Sequence, residues 1–209
     1  DGPPLRTGIE NPVLDWDSPN AYLGGGEAVV AATWHATSSM SCDVLITGGR
    51  PEYLNSVAAD HPSITEASVM LGELNALRAG VAADEPEYVD MVDSIEIVET
   101  TKTTDDEMRV ILERAAHYEH VSVLMMAFRI PRAAILMERY VIAYADLAAA
   151  YSKVAFVPAE QYLLSLASEI WYDELEKMTT SRAYRTTMAS ERVGIRNVIL
   201  GKWVPGGRT

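Results

Sequence analysis

Two kinds of hydrophobic pattern divide this chain. Up to about residue 103, apolar residues come in short runs interrupted by Gly, Pro and acids. Beyond it they recur mostly at the three-and-four spacing of an α-helix. Thr104 and Glu107 have the S/T-x-x-E form of a capping box, predicting a helix that opens there and continues to about Phe128. Pro131 suits the first turn of a second helix, expected to reach about Lys153. That segment is apolar on most of its circumference, with Arg132, Arg139, Asp146 and Lys153 as one polar stripe, the pattern of a helix at the centre of a bundle. Pro158 opens a third helix through "YLLSLASEIWYDELEKM", with Leu163, Leu166 or Ala167, Ile170 and Leu175 inward. The stretch "SRAYRTTMASERVGIR" forms the fourth, ending near Gly194–Asn197. Short connections at 129–131 and 154–158 favour antiparallel neighbours.

The first half is less regular. Residues 1–26 are rich in Gly, Pro, Asn and Asp and predict an extended arm carrying Trp16 and Tyr22, ending in a glycine triplet. Residues 27–42 mix Ala, β-branched and hydroxyl residues with no clean period. "CDVLITGGRPEYLNSV" predicts a strand at 43–47, a glycine turn and a helix opening at Pro51. Ser63 with Glu66 suggests a capping box for a helix ending near Gly80, followed by an acidic connection over 81–93. "SIEIVET" reads as a further strand. The expected fold is therefore mainly α: an extended arm (1–26), a mixed α/β acidic region (27–103), a four-helix bundle-like half (104–197) and an extended tail (198–209), together one structural domain.

Composition narrows the classes open to such a chain. Its 209 residues, 48% hydrophobic and 22% charged, are enough for a real core. With Cys42 as the only cysteine, a disulfide-stapled fold is excluded. The most apolar region, "VSVLMMAFRIPRAAILM", is broken by Arg129, Pro131 and Arg132, so no membrane span is expected. No signal-peptide pattern opens the chain, which starts at Asp1 as a processed or shortened form would.

Charge changes the picture most. The formal net charge is −13, yet residues 1–108 hold 20 acids and 4 bases while residues 109–209 hold 10 acids and 13 bases. From Lys177 onward there are 7 bases and one acid, Glu191. Arg182, Arg185, Arg192 and Arg196, separated by 3, 7 and 4 residues, fall within roughly an 80° arc of a helical wheel. A row of guanidinium groups on one helix face can follow a sugar–phosphate backbone through charge-assisted, often bidentate contacts. Lys202 and the ring of Trp203 would extend that path. The same row could instead meet acids of this chain or a neighbour, or simply face water.

Other candidates carry less chemistry. Glu113, His117 and His120 at i, i+4 and i+7 would share one face of the predicted 104–128 helix and could ligate a metal, although no facing acids complete a di-iron set. "VLITGGRP" has the outline of a nucleotide-binding strand–turn–helix but lacks the longer glycine pattern and the Lys-Ser/Thr of a phosphate loop. The acids at 105–107 fit the positive end of a helix dipole. No nucleophile elbow is present and Cys42 has no neighbour that marks it as a nucleophile.

Taken together, these features predict a non-enzymatic, self-assembling structural subunit, of viral or phage coat or nucleocapsid type, located in a virion or otherwise cytoplasmic. Its partners would be itself and RNA or DNA, with no membrane, metal or cofactor. Arg182, Arg185, Arg192, Arg196 and Lys202 are the expected nucleic-acid contacts, and Trp16, Tyr22 and Trp203 the expected subunit anchors. The alternatives are a subunit docking on an acidic partner, and a helical metalloenzyme using Glu113, His117 and His120.

Overall fold

The computed structural model describes residues 26–38, 41–50, 63–84, 92–101 and 103–203, and these form two compact units that meet in sequence at Thr103/Thr104. The expected arm with Trp16 and Tyr22, the helix at Pro51 and the chain beyond Trp203 lie outside the described residues. Each unit is helix-rich and contains a short two-stranded parallel sheet.

The first unit runs α1 (Gly26–Thr37), β1 (Cys42–Thr47), α2 (Glu66–Asp84) and β2 (Val92–Val98). β1 and β2 pair parallel, Val44 opposite Ile95 and Ile46 opposite Ile97. Parallel neighbours need a long crossover, and α2 belongs to it. Val44 and Ile46 alternate inward and form the core with Val30, Ala67 and Leu74. The expected strands are both present. The stretch whose period was unreadable is α1: its hydroxyl residues bond back to the helix, Thr33 to the Val29 carbonyl and Thr37 to that of Trp34, so their polar groups are satisfied without leaving it. The cap of α2 is shifted two residues from the expected position. The amide of Ser68 donates to Thr65 Oγ1 at 3.1 Å and the amide of Thr65 to Ser68 Oγ at 3.0 Å, a reciprocal box in place of Ser63 with Glu66.

The second unit runs α3 (Thr104–Ala115), β3 (Val121–Met125), a 3-10 turn (Ala127–Arg129), α4 (Ile130–Ala143), a second 3-10 turn (Ala145–Leu147), α5 (Ala148–Tyr151), β4 (Val154–Pro158), α6 (Ala159–Thr180) and α7 (Arg182–Ile199). Two expectations fail here. The helix predicted over 104–128 stops at Ala115, and "VSVLM" is a strand paired parallel with "VAFVP", the expected connection at 154–158. The helix predicted over 131–153 stops at Ala143, so Arg132, Arg139, Asp146 and Lys153 share no stripe. Lys153 instead donates to the carbonyls of Ala115 and Ala116 at the end of α3. The half expected to be a four-helix bundle is thus helix-rich with a parallel strand pair among its elements. Met108, Leu112, Leu136, Met137, Leu163 and Trp171 are fully buried within it.

Where the strand pair meets the following helices, Glu160 in the first turn of α6 is 9% exposed. Its two oxygens accept from the Ala127 amide at 3.1 and 2.9 Å, which holds the 3-10 turn after β3 against the start of α6. Burial raises its pKa against these hydrogen bonds.

Candidate nucleic-acid interface

The arginine row lies on α7, whose boundaries follow from local chemistry. Ser181 caps it by accepting from the Tyr184 amide at 3.1 Å. At its far end the Gly201 amide bonds the Val198 carbonyl and the Lys202 amide bonds that of Asn197, with Gly201 at φ +67°, which is the Schellman arrangement. The helix therefore runs to Ile199, two residues past the Gly194–Asn197 end expected from the sequence.

Gly194 has a different role. A Cβ there would meet Arg132 Nε at 2.9 Å and Cζ at 3.2 Å, so the missing side chain lets the Arg132 guanidinium of α4 lie against α7. Arg132 Nη1 donates to Glu191 Oε1 at 3.4 Å, and Glu191 is only 5% exposed. The one acid of the basic C-terminal stretch is thus turned inward and paired.

The inner face of α7 is formed by Ala183, Thr187, Glu191, Gly194 and Val198. At about 100° per residue these span an arc of roughly 80°. Arg182, Arg185, Arg192 and Arg196 span another arc of roughly 80°, centred about 180° from the first, and all four are exposed. Arg185 also donates to the Thr180 carbonyl at 2.7 Å, which steadies its head at the corner between α6 and α7. Among the described residues no acid is paired with Arg182, Arg192 or Arg196. Lys202 is exposed just beyond the Schellman turn.

Trp203, an expected subunit anchor, packs within its own unit. Its ring packs edge-on against Tyr140 of α4 at 5.6 Å, and both its indole N–H and the Tyr140 hydroxyl donate to Asp105 of α3. Trp203 is therefore held against its own unit, and Asp105, half-buried, is an acceptor as well as a first-turn acid, with its Oδ1 left without a partner among the described residues. Burial raises the Asp105 pKa, with the two hydrogen bonds opposing it, and burial beside this carboxylate raises that of Tyr140. Nothing in the spacing of Asp105, Tyr140 and Trp203 signals this cluster, nor the pairing of Arg132 with Glu191, because each joins separate elements.

The remaining candidates are not assembled. Glu113 ends α3 paired with Arg109, while His117 and His120 are exposed in the turn that follows, so the shared helical face does not exist. Among the described residues no cluster of His, Cys, Asp or Glu could hold a metal ion. At the glycine turn, the Gly48 amide donates to the Val98 carbonyl at 3.2 Å, and the Gly49 and Gly48 carbonyls accept from the amides of Glu66 at 2.9 Å and Ala67 at 3.0 Å. The turn locks β1 to α2. Among the described residues no helix is long and apolar enough to cross a membrane. Comparison with known protein families, with curated proteins and with solved structures finds no match.

Proposed function

We propose that this protein is a non-catalytic subunit that contacts nucleic acid through the outer face of α7, in the manner of a coat or nucleocapsid-type protein. One observation carries the reading: four exposed arginines stand opposite the buried face of their helix while the only acid of that stretch, Glu191, is paired inward. Such a face concentrates positive charge where a polyanion can meet it, and phosphate responds to the local field, not to the net charge of −13. Self-assembly is the second part of the proposal and rests on the asymmetry between the acidic first half and the basic C-terminal stretch. Trp203, whose ring packs on Tyr140 within its own unit, is not needed for this part of the proposal.

The binding part is tested by titrating a labelled 20-nucleotide oligonucleotide at several salt concentrations. Arg185→Ala and Arg192→Ala should each weaken binding alike for any sequence and lower the salt slope by about one. Unchanged affinity and slope in both variants reject the interface. Their folding stability should stay within about 1 kcal/mol of the parent, because exposed charges contribute little to it.

A further inference from the structure

Resting on the nucleic-acid reading of α7, we infer that the partner is double-stranded and is gripped across a groove through its phosphates, without base readout. The arginines are not evenly spaced. Arg182 and Arg185 form one pair and Arg192 and Arg196 another, with the small, exposed Ala189 midway between them on the same arc. At about 1.5 Å per residue the centres of the pairs lie about 16 Å apart along the helix. That separation straddles a duplex groove about 12 Å wide and brings one pair to the phosphates of each rim. A single strand offers one phosphate contour, for which an evenly spaced row is the better match.

The aromatic residues point the same way. Single-strand binders combine a basic track with exposed rings on which bases stack. Here the aromatic side chains near the arginine face are engaged elsewhere. Tyr184 packs edge-on against Phe128 at 5.5 Å, and Trp203 packs on Tyr140. The exposed Tyr118, Tyr144 and Tyr172 belong to other segments of the unit. The arc carries no Asn or Gln, the side chains that read adenine in bidentate fashion, and with one pair at each rim its arginines meet phosphates and not the base edges within the groove. Val193 and Ile199, both exposed, border the arc with apolar surface. Lys202 continues the cationic line past the Schellman turn and supplies a fifth phosphate contact.

The test is fluorescence anisotropy with the full chain against a 20-base-pair DNA duplex, either strand alone, and polyglutamate, each over a salt series. The expected result is a duplex affinity at least tenfold above that of either strand, indifferent to sequence. Its log–log salt slope should lie between about −3.5 and −4.5, as four or five phosphate contacts require. Arg192→Ala/Arg196→Ala, which removes one pair, should bring that slope down by about two while circular dichroism stays unchanged. Single strands bound as tightly as the duplex would overturn this inference and leave the nucleic-acid reading standing. Binding to polyglutamate, or to none of the probes, would overturn both. A slope unmoved in the double variant would remove α7 as the contact face.

Discussion

Arg132 and Glu191 show how much one residue pair settles. Glu191 is a carboxylate on the inner face of a helix, and its burial is tolerable because Arg132 crosses from α4 to meet it. The pair is imperfect: at 3.4 Å it leaves Glu191 Oε2 and Arg132 Nε without partners among the described residues. Removing one member should therefore cost more than removing both. Arg132→Met should lower unfolding free energy by about 2–4 kcal/mol, and Arg132→Met/Glu191→Leu should recover to within about 1 kcal/mol of the parent, measured by urea denaturation. A double variant no better than the single one would show that the pair is not what joins these positions.

Glu160 gives a residue-scale prediction about pH. Its pKa in the folded chain is raised above the ordinary 4.5, with burial as the largest cause. The folded state thus keeps its proton to higher pH than the unfolded chain, and the contribution of Glu160 to stability falls as pH rises between the two values. Relative to Glu160→Gln, the parent should gain stability as pH is lowered from 7 to 4.5. Denaturation curves of both proteins at the two pH values check the sign, and a loss would contradict it.

At the scale of elements, a few backbone sites decide where helices begin and end. Gly49 stands so close to the end of β2 that a Cβ would lie 1.6 Å from the Thr101 carbonyl oxygen. Backbone cannot yield as a side chain tip can, so Gly49→Ala should destabilise by about 3 kcal/mol in thermal or chemical unfolding. Gly201 supplies the left-handed residue of the Schellman turn that directs Trp203 toward Tyr140. With nothing near its Cβ position, Gly201→Ala should cost only the conformational penalty, about 1–2 kcal/mol. A cost near zero would mean that the end of α7 is free to take another form.

For the whole molecule, the testable quantity is the assembly state. Sedimentation velocity recorded at 260 and 280 nm should find large particles with excess 260 nm absorbance if the subunit assembles around nucleic acid. Large particles without that excess would mean a protein-only assembly in which the arginines meet subunit acids. A small species free of nucleic acid would reject the assembly part of the proposal. Charge makes this scale distinct from the local one: a net charge of −13 repels polyanions at long range, so the proposed contact depends on the local field of the α7 arginines.

What was legible in the sequence was whatever short-range chemistry specifies. The short runs "DVLIT" and "SIEIV" marked both strands of the first unit, the first of them followed by a glycine turn. Pro158 marked the start of α6, and the spacing of four arginines within residues 181–196 placed them on one side of α7, whose cap at Ser181 only the structure shows. Tertiary structure decided the rest. "VSVLM" is too short and too evenly apolar to declare itself a strand; its partner "VAFVP" lies about thirty residues away, and only their pairing makes either one extended. Gly194 leaves room for Arg132, and Trp203, an expected subunit anchor, packs on Tyr140 of its own unit; local spacing signals neither contact. The position of a side chain on a helix follows from a fixed 3.6-residue period, but what it faces depends on which distant segment the chain brings against it.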